Sequence, residues 1–131
     1  MLTNICSGDY NDHQSELHIF YSDSLLNDEW HSIKQSNPVI FDCLAARNGG
    51  LFEEGGNLYR VNQIHDKEHY GKSFGVNKII ELSTQTYKEE RVSTINSDFK
   101  HSIKSTHHFN ANQKFATVDF CRLERLKKIK K

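Results

Sequence analysis

Ala46-Arg47-Asn48-Gly49-Gly50-Leu51-Phe52, followed closely by Asn57-Leu58-Tyr59-Arg60-Val61-Asn62-Gln63, is the stretch on which the reading of this chain turns. A Gly-Gly pair opens a short apolar-aromatic strand, Gly55-Gly56 turns it, and a second strand returns with an arginine and a glutamine on it. The pattern predicts a β-hairpin that gathers Arg47, Arg60 and Gln63 at one end. Arginine forks and amide side chains suit a polyhydroxylated or anionic ligand. Both glycine pairs read as turn glycines.

Outward from this hairpin, strand patterns dominate. A β-rich run covers 17–21, and a loop follows through Trp30 to the only proline, at Asn37-Pro38. Residues 73–82 alternate with Phe74, Val76, Ile79 and Ile80 apolar, with a slip expected at Lys78. Residues 87–95 carry Tyr87, Val92 and Ile95 between charged positions. A last hairpin is expected from 107–110 and 115–121 around Ala111-Asn112-Gln113-Lys114. The fold class is therefore all-β, with about two four-stranded antiparallel units. The alternative is an α+β sandwich of two sheets. Leu123, Leu126 and Ile129, three apart in the basic tail 122–131, predict a short terminal helix.

Composition bounds the rest. A chain of 131 residues is expected to form a single domain over 1–131. No apolar run approaches the roughly 20 residues of a membrane span. The amino terminus lacks a basic start and an apolar core, so it does not read as a signal peptide. Cys6, Cys43 and Cys121 are odd in number and far apart, and read as reduced, buried thiols of a cytoplasmic protein. Net charge is zero, yet the chain up to Gly56 holds nine acids against Lys34 and Arg47, a net of −7, which leaves +7 for the remainder. The basic tail lacks the aromatic interleaving of a nucleic-acid arm.

Ala46-Arg47-x-Gly49-Gly50, Leu58-Tyr59-Arg60-x-x-Gln63, Tyr70-Gly71, Tyr87-Lys88-Glu89 and Thr106-His107-His108-Phe109-Asn110 fall in one order and spacing. Together they resemble the carboxy-terminal part of the amino-terminal domain of glucosamine inositolphosphorylceramide transferase-like proteins, over roughly residues 8–122 of this chain. The resemblance implies a five-bladed β-propeller like those of glycoside hydrolases. Two four-stranded units do not close a propeller. Apolar surface such as Phe20, Tyr59 and Phe74 would then stay uncovered, so a homo-oligomer, most simply a dimer, is expected.

The resemblance singles out Glu89 as the candidate catalytic residue, since it matches the glutamate of a Tyr-x-Glu element. Glycosidic chemistry needs a second carboxylate roughly 5–10 Å away. Asp23, Asp42 and Asp66 are open as that partner, whereas the adjacent Glu90 points to the opposite face. His65-Asp66-Lys67-Glu68-His69 has metal-like spacing, but it lies between strands and has Asp66 where a metalloprotease pattern has Glu. No metal and no cofactor is expected, because phosphate-binding and dinucleotide glycine motifs are also missing.

Three functions follow as expectations. The first is a non-catalytic module for a carbohydrate, a glycolipid headgroup or another anionic small molecule. Its polar contacts are Arg47, Arg60, Gln63 and His107, and its stacking face is Tyr59 or Tyr70. The second is a glycan-processing enzyme in which Glu89 is paired with a carboxylate across an oligomer interface. The third is an interaction protein with a vestigial site. An isolated Glu89 separates the first from the second, and a deep apolar groove without convergent polar groups favours the third.

Overall fold

A computed structural model describes residues 2–3, 14–26, 29–65 and 71–124. It is an all-β, antiparallel structure. In chain order the strands are β1 (Leu2–Thr3), β2 (Glu16–Tyr21), β3 (His31–Ser32), β4 (Ile40–Phe41), β5 (Asn48–Glu54) and β6 (Asn57–Ile64). They continue with β7 (Ser73–Leu82), β8 (Tyr87–Asn96), β9 (Ile103–Ser105), β10 (Phe109–Ala111), β11 (Ala116–Val118) and β12 (Cys121–Arg122). A single 3-10 turn, Ser97–Phe99, is the only helical element among the described residues.

The centre is a four-stranded meander, β5-β6-β7-β8, each strand antiparallel to the next. Its first turn works because Gly55 (φ 57°) and Gly56 (φ 74°) are both left-handed, which matches the twist of the paired strands. Its last turn is held by Ser83, whose Oγ accepts from the N–H groups of Gln85 (3.1 Å) and Thr86 (3.0 Å). The β7–β8 register shifts between Val76 and Asn77 and again between Ile79 and Glu81. These shifts flank Lys78, where the alternation slips.

Gly49 and Gly50 correct an expectation. They are not turn residues but lie inside β5, next to a register shift. A Cβ on Gly49 would sit 2.6 Å from the His107 carbonyl oxygen, and one on Gly50 2.1 Å from that of Phe109. Two bare backbones are needed for the 107–109 segment to cross β5 this closely.

A second sheet radiates from β2, which pairs with β1, β3 and β4, so it is not a second meander. Asn37, before a cis Asn37-Pro38 bond, imitates a strand partner. Its Oδ1 accepts from the Ile19 N–H and its Nδ2 donates to the Ile19 carbonyl, both at 3.0 Å. Leu17 and Ile19 face inward by alternation and form a core with Ile33, Ala46 and Tyr87, against which Ile79 packs. The Lys34 and Gln35 N–H groups bond the carbonyls of Thr84 and Gln85, tying this sheet to the tip of the meander.

The last hairpin divides in two. β10 pairs β11 and β9 pairs β12, with a break at Asp119. The expected strand start at His107 moves to Phe109 because Asp119 Oδ1 takes the N–H groups of His107 (3.0 Å) and His108 (2.8 Å), leaving them no ladder. The expected terminal helix is not shown. Arg122 ends a strand, Leu123 and Glu124 are non-helical, and 125–131 lie outside the described residues. Cys43 and Cys121 are exposed rather than buried, being in a surface turn and the short β12.

Candidate functional site

Alternation along β6 decides which side chains meet. Arg60 and Asn62 point to one face of the meander, and Tyr59, Val61 and Gln63 to the other. Arg47, Arg60 and Gln63 therefore do not share one pocket. Arg60 and Gln63 are three residues apart on a strand, which puts them on opposite sides.

Arg60 is fully buried, and every N–H of its guanidinium is engaged. Nε donates to Glu89 Oε2 (2.7 Å) and Nη2 to Glu89 Oε1 (2.6 Å), a bidentate pair between β6 and β8. Nη2 also reaches the Ala45 carbonyl (2.7 Å), and Nη1 reaches the Ala46 carbonyl (3.2 Å) and Asn48 Oδ1 (3.3 Å). Asn62 Nδ2 takes the preceding carbonyl, that of Leu44, at 2.8 Å. Three successive carbonyls of the turn after β4 are thus capped by β6 side chains.

Glu89 accepts in addition from the Tyr87 hydroxyl, and its side chain is only 10% exposed. Burial lowers the Arg60 pKa, but the hydrogen bonds and charge of Glu89, with Tyr87, outweigh it and leave it raised. Burial, followed by the Glu89 charge, raises the Tyr87 pKa strongly.

Next to this pair, Asn77 Nδ2 donates to the Arg60 carbonyl (3.1 Å) and to Asn62 Oδ1 (3.0 Å). Arg91, two residues beyond Glu89, spans the same face. Its Nε donates to Asn77 Oδ1 (2.7 Å) and its Nη2 to Asn62 Oδ1 (2.8 Å). A pocket of ≈ 380 Å³ opens here. Asn77, Tyr87, Glu89 and Arg91 form its polar side, Val39, Ile40 and Ala45 its apolar side, and Lys88 also lines it. Glu89 is the one carboxylate in that lining. Asp23 and Asp42 are exposed, and Asp66 lies outside the described residues.

The other candidates gather elsewhere. The Gln63 N–H donates to the Arg47 carbonyl (2.8 Å), and its Nε2 to the Asn48 carbonyl (3.3 Å). Its buried Oε1 has no hydrogen-bond partner among the described residues. His65 Nδ1 accepts from the Gly71 N–H (3.1 Å). Burial, then the charges of Arg47 and His107, lowers the His65 pKa. His107 Nδ1 lies 2.6 Å from Asp119 Oδ2. Tyr59 stacks on Phe52 with ring centres 5.0 Å apart, and Tyr70 lies outside the described residues. No group of three metal-ligating side chains occurs among the described residues.

Residues 2–129 match the family model described as glucosamine inositolphosphorylceramide transferase 1, N-terminal. The chain belongs to this family. Glucosamine inositolphosphorylceramide transferase 1 of Arabidopsis thaliana is 42% identical over 80 residues, 59% of this chain and 10% of that protein. The match thus spans about a tenth of that curated relative's length. No solved structure matches.

In this member of the glucosamine inositolphosphorylceramide transferase 1 N-terminal family, Arg60 and Glu89, 29 positions apart in the chain, form one ion pair. Sequence reasoning missed Asn62, Asn77, Lys88, Arg91 and Asp119. Gly75 inside the β7 run was the available sign, since a glycine in a strand marks a close approach. On the far face, Phe52, Phe74, Ile95, Phe109 and Phe115 line an apolar groove of ≈ 920 Å³.

Proposed function

We propose that this chain is a non-catalytic binding module for a carbohydrate or glycolipid headgroup, and that the Glu89–Arg91 pocket is its site. The observation that carries this reading is Glu89 itself. It is the single carboxylate of the pocket, clamped by Arg60 and Tyr87, beside convergent Asn and Arg groups and an apolar wall. Hydrolysis of a glycoside requires two carboxylates across the scissile bond. A fixed acceptor beside the guanidinium donors of Arg91 instead suits ring hydroxyls. Its volume is in the range of small-molecule sites. Family membership and the name of the plant relative point to glucosamine and inositol phosphate as ligand chemistry.

Titration of the 15N-labelled protein with glucosamine, myo-inositol 1-phosphate and neutral sugars tests the proposal. Saturable shifts at Asn77, Glu89 and Arg91 are expected, with no glycoside turnover. Turnover that depends on Glu89, or shifts confined to other regions, would sink it.

A second reading, an interaction protein, is favoured by the apolar groove on the opposite face. A second copy of the chain is its proposed occupant, as symmetric pairs are the commonest assembly and the two halves carry opposite charge. Light scattering that returns a monomer at micromolar concentration removes it. A cytoplasmic location is proposed from the two exposed free thiols, Cys43 and Cys121, which a reducing compartment keeps free.

A further inference from the structure

We infer that the aromatic groove is one half of a two-fold interface, in which β7 and β8 of a second copy lie face to face on those of the first and Lys78 of each copy meets Glu90 of the other. This rests on reading the groove as the seat of a second copy, and it adds the geometry and the residues that select it.

The groove is an unfinished sandwich. Its floor is the far face of the meander, with Phe74 and Val76 on β7 and Ser93 and Ile95 on β8. Its roof is the β10–β11 hairpin alone. Phe109 rests at Gly50 and the 112–114 turn lies by Glu53 and Gly55, so β10 follows β5 in the same direction. Two roof strands over a four-stranded floor leave β7 and β8 without cover. Stacked sheets bury each other's faces at about 10 Å separation, and an isolated pair of strands is marginal.

Floor and roof both end in open strand edges. The Asn112 N–H donates to the Phe115 carbonyl (2.8 Å) and the Asp119 N–H to the His108 carbonyl (3.3 Å), so Phe115 and Asp119 aim their backbone groups toward β10. By alternation the N–H and C=O of Ala116 and Val118 point outward, where no strand follows among the described residues. β8 likewise has a strand on one side only.

One two-fold axis, parallel to the strands and midway between floor and roof, closes all of these openings. It sets β8 of the second copy beside β11, running the same way, with β7 of the second copy next to it. Each β7 is then covered by a β8 and each β8 by a β7. Rotation about such an axis preserves the level along the strands, so residues that pair across β7 and β8 within a copy stack across the interface. Those pairs are Phe74 with Ile95, Val76 with Ser93 and Lys78 with Glu90. Lys78 and Glu90 share the groove face, because Asn77 and Ile79 on either side of Lys78 face the Arg91 network and the core. Neither is ion-paired among the described residues. The face therefore matches itself, apolar on apolar and cation on anion, as an isologous contact requires. Val118, 41% exposed on the roof, gains β8 of the second copy as its neighbour.

Analytical ultracentrifugation of the whole chain tests this, with amide spectra to confirm that each variant is folded. The wild type should be a closed dimer at micromolar concentration. Val118→Lys, on the groove wall, should return it to monomer. Lys78→Glu and Glu90→Lys should each weaken dimerisation by about tenfold or more, since each sets like charges against one another at both symmetric contacts. An equimolar mixture of these two variants should recover a heterodimer of near wild-type affinity, because each altered residue then faces an opposite charge in the other chain. Repulsion confined to one chain cannot be relieved by mixing. Weakening that mixing does not relieve overturns the inference, as does an assembly that grows beyond two copies. Loss of the dimer in Val118→Lys with no response to the charge variants overturns the two-fold stacking and leaves a second copy in the groove. A monomeric wild type, or a dimer indifferent to all three variants, defeats both.

Discussion

The two faces of the β5–β8 meander are made from alternate residues of the same strands, yet they solve burial in opposite ways. One face buries a guanidinium, a carboxylate and two amides in a bonded network: Arg60, Glu89, Asn62 and Asn77. The other carries rings: Phe52 meets Phe109 edge-on at 5.2 Å, and Phe74 stacks on Phe109 at 6.0 Å. The polar face depends on completeness, because a charge left without its partner in a low-dielectric interior is costly. The aromatic face depends on shape and tolerates an open groove. Damage should therefore be all-or-none on the first face and graded on the second.

The largest effect is expected from Arg60→Ala, which strands Glu89 and two carbonyls. It should cost about 3–5 kcal/mol in urea unfolding. If the Arg60→Met, Glu89→Leu double variant recovers most of that loss, isolation of the charge is the cause. An Arg60→Ala protein of normal stability would erase the contrast between the faces.

On the aromatic side, Gly50→Ala places a Cβ at φ 133° against the Phe109 carbonyl. The backbone strain alone costs about 1–3 kcal/mol. The loss should appear with detachment of the 107–109 segment, seen as faster amide exchange there, while the β6–β8 amides stay protected.

Tyr87→Phe removes one hydrogen bond to a charged acceptor and should cost about 2 kcal/mol. Its pH profile is the sharper measure. The folded Tyr87 pKa is raised, so above about pH 10 the unfolded chain loses this proton and the folded one keeps it. Stability should fall as pH rises through that range, and Tyr87→Phe should lessen the slope.

The smallest effect belongs to His65, at the edge of the second face. Its folded pKa is lowered below the ordinary 6.5, so below that pH the unfolded chain takes up a proton that the folded one resists. Stability is full above about pH 6.5 and declines on acidification. His65→Gln should flatten that limb. A flat wild-type curve would mean that burial, with the charges of Arg47 and His107, does not oppose charge at this position.

Strand identity was legible because it is local. Asn57–Ile64 and Ser73–Leu82 form as their alternation and flanking turn residues require, and the slip near Lys78 was visible in the same pattern. The pairing of Arg60 with Glu89 was not legible in the strand pattern, since residues 29 apart have no periodic relation.

Composition, alternation and turn glycines by themselves determined an all-β antiparallel chain with a Gly55-Gly56 hairpin at its centre. They specify local backbone preference and which residues share a face of one strand. Tertiary structure alone decided that Gly49 and Gly50 clear a path for the 107–109 backbone, that Asp119 interrupts the last hairpin, and that Gly75 makes a notch for Arg91. It also seated Arg60 in a closed network with Glu89 and the Ala45 and Ala46 carbonyls, partners that no local pattern supplies. The physical reason is that these outcomes depend on which strands lie side by side and in what register. Register is set by packing among segments far apart in the chain, not by the residues of any one of them.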